Sequence, residues 1–436
     1  MVSESDIKPW FQGLAPNRLL VNANVVDVKS GTIIPNASVA IKGDTIESVM
    51  TSPAQEDAFP DYSVIDCRGK YLCPGLFDAH VHFCAVPGFK DLSKAFGNHR
   101  DVSLLRQPYV AAQMLYRGFT SVRDCGGAQL ALKEAIADGV FPGPRLFISG
   151  HAISQAGGHG DIRGSHDDDL ECCGGHTNGL GRVCNGVPEC ILAVREEIRS
   201  GADFVKIMGS GGVSTPTDAI DHLQFTRSEI QAMVECAENA GTYVTAHAYT
   251  PKAIRHCIDN GVRGIEHGNF IDEPTAKLMA EKGIYMTPTL VTYDQMASEQ
   301  WKGYLPPESQ TKNTAVFRAG LEAIEIACNA GVTLCYGSDL LGPMGSAQTH
   351  EFTIRSQILS STEVLQSATL NPARMMGRAE SLGQIKEGFI ADILFLEKNP
   401  LSNVSILDQP EANLLAVMKE GKVYKSRWDG RKTCAE

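Results

Sequence analysis

Six residues carry the chemistry that this chain offers: His80, His82, Lys206, His247, His267 and Asp339. His80-Val81-His82 sets two imidazoles two positions apart, and on a strand alternate residues share a face. Both rings can then address one ion, and neutral imidazole suits a borderline cation such as Zn²⁺. Taken alone, the pair also fits a structural or solvated role. His247 ends the run TYVTAH and His267 ends VRGIEH; singly, each reads as a core histidine. Asp339 closes GVTLCYGSD, where a lone aspartate reads first as a helix N-cap. Lys206 stands inside the apolar run ADFVKIM, where a bare ammonium is costly to bury. One reading pairs it with an acid. The other uses the preference of burial for a neutral amine, which adds CO₂ to become a carbamate, an anion whose two oxygens can bridge two cations. Taken together, the six residues favour a metal centre over six unrelated structural roles.

Such residues need elements that bring them to one place. The apolar, β-branched runs LCPGLFDAH, FTSVRDCG, PRLFISG, ADFVKIMGSGG, TYVTAHAY, VRGIEHG, GIYMTPTL and GVTLCYGSD alternate with helical stretches. Several of those stretches end in glycine, as in MLYRGF, IRSGAD, CIDNGV and ACNAGV, a C-cap signal. Short runs buried on both faces suit a parallel sheet, and eight of them alternating with helices predict an α/β fold, a (β/α)₈ TIM barrel. Catalytic groups in such a barrel sit at the C-terminal strand ends. Here those ends read His80 and His82, Asp124, Gly150, Lys206, His247, His267, Thr289 and Asp339. Residues 17–70 and 381–430 instead alternate in short strands with Gly, Asn and Pro turns, the pattern of a small antiparallel sheet. They predict one β-sandwich domain built from both chain ends. Residues 1–16 read as an extension, 71–380 as the barrel, and 151–190 as a lid-like insertion in it.

The rest of the composition limits the partners. The chain has 436 residues, a net charge of −12 and no Lys/Arg-rich run, which argues against nucleic acid or an anionic membrane. No apolar run approaches the roughly 18–20 residues of a membrane span, and the first twenty residues lack the basic start and apolar stretch of a signal peptide. The 13 cysteines are scattered and odd in number, as expected of buried thiols in a cytoplasmic protein. The expected partners are a small-molecule substrate and further copies of the same chain.

The order HxH after the first strand, Lys after the fourth, His after the fifth and sixth, and Asp after the eighth resembles the amidohydrolase superfamily. The tail ATLNPARMMG…LGQIKEGFIADILFL is similar to that superfamily's C-terminal signature. Within it, SGHAISQAGGHGD, VKIMGSGGV and VTAHAYTPKAI resemble the branch of Xaa-Pro dipeptidases (prolidases) and ochratoxinase-type carboxypeptidases. The resemblance implies two divalent ions per chain, with Zn²⁺ the expected metal. It implies His80, His82 and Asp339 on the more buried ion, His247 and His267 on the other, and carboxylated Lys206 between them.

The activity implied is hydrolysis of an amide in a dipeptide or N-acyl amino acid with a free carboxylate. A hydroxide bridging the two ions would be the nucleophile, and Asp339 would take its proton and pass it to the leaving nitrogen. The resemblance also sets Tyr249, in AHAY, near the substrate carboxylate. His159, between glycines in GGHGD, and Arg163 and His222 are further candidate contacts by location. A lactonase, cyclic-amide hydrolase or decarboxylase would use the same centre, and a non-enzymatic scaffold would not need all six ligands. Gly209, Gly211 and Gly212 do not match a phosphate loop and are read as loop flexibility. Cys172, Cys173, Cys184, Cys190, His166 and His176 lack the regular spacing of a structural zinc site, so a lid with free thiols or one disulfide is the expected reading.

Overall fold

The structure is a computed structural model that describes residues 4–11, 13–96, 99–161, 163, 176–177, 179–215, 218–305 and 307–428. The apolar runs form parallel strands with helices between them. Leu76–Val81, Phe119–Asp124 and Arg145–Ile148 pair in parallel as one sheet. A second sheet aligns Gly181–Val183, Ala152–Ser154, Val205–Met208, Val244–Ala248, Gly264–His267, Tyr285–Thr287 and Thr333–Leu334 in parallel, with His176–Thr177 antiparallel at its edge. Most of these strands are buried throughout, as runs covered on both faces must be. Hydrogen bonds run between the two sheets at both margins: the Ala79 N–H donates to the Tyr336 carbonyl at 2.7 Å, and the Asp203 N–H to the Ile148 carbonyl at 2.7 Å.

The helix-ending glycines behave as their positions predict. Gly118, Gly201, Gly261 and Gly331 carry φ of 99°, 91°, 96° and 84°, the left-handed turn that ends a helix with little strain only at glycine. The third run departs from expectation. PRLFISG is not one strand carried to its end. It stops at Ile148, turns at Gly150 (φ 69°), and resumes as Ala152–Ser154 in the other sheet. A side chain at Gly150 would meet the Glu197 carboxylate, so the chain can bend there only without one.

The two chain ends meet in a separate eight-stranded sheet, where Ile393–Leu396 pairs with Tyr71–Pro74. One detail corrects the sequence reading. The sheet is not wholly antiparallel: Arg18–Asp27 is ten residues long and pairs in parallel with Ser63–Asp66 along its first half and Tyr71–Pro74 along its second. Hydrogen bonding joins the strands into one branched sheet, in which Leu20, Val39, Phe389 and Phe395 share a buried cluster. No described helix is long and apolar enough to cross a membrane.

One ion pair lies wholly within the parallel strands. Arg123 is 1% exposed and Glu266 is 0% exposed, and the guanidinium donates to the carboxylate. Arg123 also donates to the Ala79 carbonyl and lies 5.0 Å from the centre of the Phe204 ring. Removing one member of a buried pair leaves the other charge uncompensated, at a cost of about 3–5 kcal/mol. Arg123→Met is therefore expected to lower the urea midpoint by that equivalent. An unchanged midpoint would mean that Glu266 does not rely on Arg123.

Candidate metal centre

The six sequence-selected residues line one pocket, together with His159, Tyr249, Tyr293, Ser214 and Leu180 among others. Strand register does much of this. Met208 sits beside His247, and Ala248 beside His267, so neighbouring strands deliver their polar ends to one level. His267 and Asp339 carry φ of 73° and 50°. Left-handed backbone is uncommon outside glycine, though Asp and His tolerate it more than most. At a functional site it is a strain that the surrounding fold must hold.

The ring nitrogens can be assigned from their partners. His82 Nδ1 faces the Gly126 carbonyl at 2.8 Å, and His80 Nδ1 faces the Glu266 carboxylate at 2.9 Å. Both partners only accept, so both Nδ1 atoms carry the hydrogen and the neutral rings keep their lone pairs on Nε2. Those two Nε2 atoms are 3.3 Å apart. Asp339 Oδ1 lies 3.2 Å from one and 3.6 Å from the other. Three lone-pair atoms this close need a cation among them, and these residues fit a divalent metal. In its absence a proton on His82 can serve. Burial acts to lower the His82 pKa, but Asp339 outweighs it and raises it.

His247 Nε2 faces the Gly211 carbonyl at 3.3 Å, which leaves its lone pair on Nδ1. His267 Nδ1 is 2.8 Å from Thr289 Oγ1 and 3.0 Å from the Tyr293 hydroxyl, which leaves Nε2 for a ligand. The His247 and His267 ring centres are 4.6 Å apart, and His80 and His267 are 5.0 Å apart. Lys206 is 1% exposed in the same pocket, and no carboxylate within salt-bridge distance of its ammonium occurs among the described residues. The acid-paired reading of Lys206 therefore finds no partner there.

Electrostatics suit this use. Desolvation, then the nearby Lys206, holds His80 well below the usual imidazole range. Desolvation and the His159 and His267 rings do the same for His247. His267 falls to about 3, mainly through desolvation. Burial pushes Asp339 upward, but the His80 and His82 rings hold it below the usual carboxylate range. Neutral imidazoles and an ionised carboxylate are the forms that bind metal.

Of the expected substrate contacts, two reach the pocket and two do not. Tyr249 is buried, its hydroxyl 2.7 Å from that of Tyr293. His159 stacks on His247 at 4.3 Å. The Arg163 guanidinium is instead held by Asp161 at 2.6 Å and is not among the pocket's lining residues. His222 is exposed and lines a different cavity, with Asp221 and Lys252. The glycine loop is also corrected. A Cβ on Gly209, Gly211 or Gly212 would lie 2.4 Å from Cys257 Sγ, 2.0 Å from the Ala219 carbonyl or 2.2 Å from His159 Cε1. These glycines permit close packing rather than flexibility. Cys184 and Cys190 are buried, with sulfurs 3.6 Å apart; Cys172, Cys173 and His166, and the His176 side chain, lie outside the described residues.

Sequence reasoning missed three residues that organise the site. Glu266 orients His80, Tyr293 orients His267, and Asp78 accepts from Ser338 Oγ at 2.5 Å, fixing the turn that carries Asp339. Glu266 had a visible signal, since VRGIEH and FTSVRD each place a charge of opposite sign inside an apolar run.

Residues 71–424 match the Amidohydrolase family, so the chain belongs to it. It is a hydrolase acting on amide bonds, and members of this family generally use metal ions. The chain is 31% identical to ochratoxinase from Aspergillus niger over 420 residues, covering 92% of this chain and 87% of that one. A prolidase crystallised with N-methylphosphonate-L-proline superposes with a TM-score of 0.90 at 42% identity, covering 94% of this chain and all of that one. A Xaa-Pro dipeptidase with bound methionine superposes with a TM-score of 0.85 at 29% identity, again covering 94% of this chain.

The pKa shifts predict a pH dependence in metal-stripped protein. His80, His247 and His267 are lowered, so below about pH 6.5 the unfolded chain takes up protons that the folded chain refuses. Stability is then lost as pH falls towards the folded values. The raised His82 acts in the opposite sense, but above about pH 6.5. Between pH 6 and 5 the three lowered rings should together contribute a slope of about 4 kcal/mol per pH unit, from about 1.4 each. Urea titrations at pH 7, 6 and 5 measure it, and a flat profile would contradict the neutral assignment.

Proposed function

We propose that this protein is a binuclear metal-dependent amidohydrolase that cleaves an amide in a dipeptide or N-acyl amino acid with a free carboxylate. The observation that carries it is the opposition of the His80 and His82 Nε2 lone pairs beside Asp339, in a pocket that also holds His247, His267 and Lys206. The amino-acid-derived ligands bound to the similar prolidase and dipeptidase support the substrate class. Residues 71–380 are read as a closed (β/α)₈ barrel with an insertion at 151–190, capped by the sheet of residues 17–70 and 381–430. The bond from Ala79 N–H to the Tyr336 carbonyl supports that closure.

His80, His82 and Asp339 would hold one ion, and His247 and His267 the other. The Lys206 amine would add to CO₂, forming an N–C bond and losing a proton, to give a carbamate whose oxygens would serve as further anionic ligands. When bound, such ions polarise a carbonyl and acidify a water molecule. The protein's own part is positional and protonic. Asp339, ionised and 17% exposed on its side chain, would accept a proton from water and deliver it to the leaving nitrogen. Glu266 and Gly126 hold His80 and His82 in the tautomer that keeps Nε2 free. Tyr249 and His159 are the groups available to a substrate carboxylate.

Amidating the leaving amino acid should lower kcat/KM by roughly 10–150-fold, the equivalent of one charge-assisted hydrogen bond. Tyr249→Phe should cost less with the free acid and almost nothing further with the amide, and that non-additivity is the informative quantity. Equal turnover of acid and amide would refute the carboxylate requirement.

Asp339→Asn should retain at least part of the metal, because Asn keeps a ligand oxygen, yet cut kcat by about 10²–10⁴-fold. Turnover above about a tenth of wild type would reduce Asp339 to a ligand and require another base.

A further inference from the structure

The loop after the Lys206 strand contributes Val213 and Ser214 to the wall of the metal pocket, and it is held from a distant helix. Lys312, in the helix Pro307–Asn329, donates to the Gly212 carbonyl at 3.1 Å, to the Thr215 carbonyl at 2.8 Å and to the Asp218 carbonyl. Its Nζ is also 3.5 Å from Asp218 Oδ1. A lysine ammonium has three N–H donors, so this one is committed to a single loop. Asp218 is 3% exposed on its side chain. Its Oδ2 accepts the Gly212 N–H at 3.0 Å and faces His159 Nδ1 at 3.2 Å.

These same groups define where the His159 ring lies. One face stacks on His247, with planes 21° apart. Gly212 comes so close that a Cβ there would be 2.2 Å from His159 Cε1. Thr215 Oγ1 donates to the His159 carbonyl at 2.8 Å and sits 3.0 Å from Nδ1. Gly212, Thr215 and Asp218 are the three residues that Lys312 grips. The helix itself does not depend on the ammonium. The Asn313 amide donates to the Tyr293 carbonyl at 2.9 Å, and the Val316 carbonyl accepts from Asn269 at 3.1 Å.

We propose that Lys312 is a positioning residue that, through Asp218 and the 212–215 backbone, fixes the His159 ring in the pocket and so sets selectivity for carboxylate-bearing substrates. This rests on the reading of His159 as a carboxylate contact. Without the ammonium, three carbonyls lose a shared donor, and the 212–215 backbone loses the contact that holds it against the His159 ring. The imidazole then no longer has one defined position, while the metal ligands on their strands are untouched.

The test uses the full-length, metal-loaded enzyme with the free-acid and amidated forms of one dipeptide. Lys312→Met should raise KM for the acid by about tenfold or more. It should leave the metal content and the turnover of the amide near wild type. Lys312→Arg, which keeps a cation and several donors, should restore part of the acid preference. Asp218→Asn should shift the preference in the same direction, and it carries the test if Lys312→Met does not fold. A wild-type acid-to-amide ratio retained in Lys312→Met and Asp218→Asn would overturn the inference. So would equal losses on both substrates accompanied by loss of metal, which mark a purely structural role. If the wild-type enzyme itself did not distinguish acid from amide, the functional reading would have failed first, and the selectivity inferred for Lys312 would fall with it.

Discussion

The Glu266 carboxylate has no contact with solvent and three obligations. It faces the Arg123 guanidinium, the Thr245 hydroxyl and His80 Nδ1. Burial pushes its pKa up, but Arg123 and then Lys206 outweigh that, so it is held below the usual carboxylate range. Its three partners lie on three other strands of the parallel set. An ionised carboxylate in a low-dielectric interior is tolerated only while such partners surround it. Strand spacing, the His80 tautomer and the free Nε2 of that ring are therefore one linked arrangement.

The rest of the centre follows the same logic. Each imidazole spends one nitrogen on a fixed neighbour: the Gly126 carbonyl for His82, the Gly211 carbonyl for His247, and Thr289 and Tyr293 for His267. The other nitrogen is then left for a ligand, and desolvation keeps three of the four rings neutral far below their usual range. Partners beyond the ligands thus set geometry, tautomer and charge together, the usual division of labour in a metal site. The positive φ of His267 and Asp339 belongs to this picture, because local backbone preference alone would not choose it.

Much of this was legible in the chain. The apolar runs gave the parallel strands and their order, because a strand buried on both faces must be apolar throughout. Their polar ends picked out His80, His82, Lys206, His247, His267 and Asp339, which the structure brings into one pocket. Arg163 and His222 are candidates by location in the chain alone, and in loops location says least. Arg163 is taken by Asp161, two residues away, and His222 faces another cavity. The break of the third strand at Gly150 was equally hidden, since the Glu197 carboxylate packed against that glycine comes from a helix 47 positions later.

What the sequence determined by itself is whatever depends on periodicity and local chemistry: the alternation of strands and helices, the glycines that end helices, and the types of residue at strand ends. What only the tertiary structure decided is which nitrogen of each imidazole is free, that no described carboxylate lies within salt-bridge distance of Lys206, that Glu266 serves His80, and that Lys312 grips a loop about 100 residues earlier in the chain. The physical reason is range. Hydrogen bonds and ion pairs act over about 3–4 Å, and those distances are set by strand register and helix packing between residues that no local pattern in the chain connects.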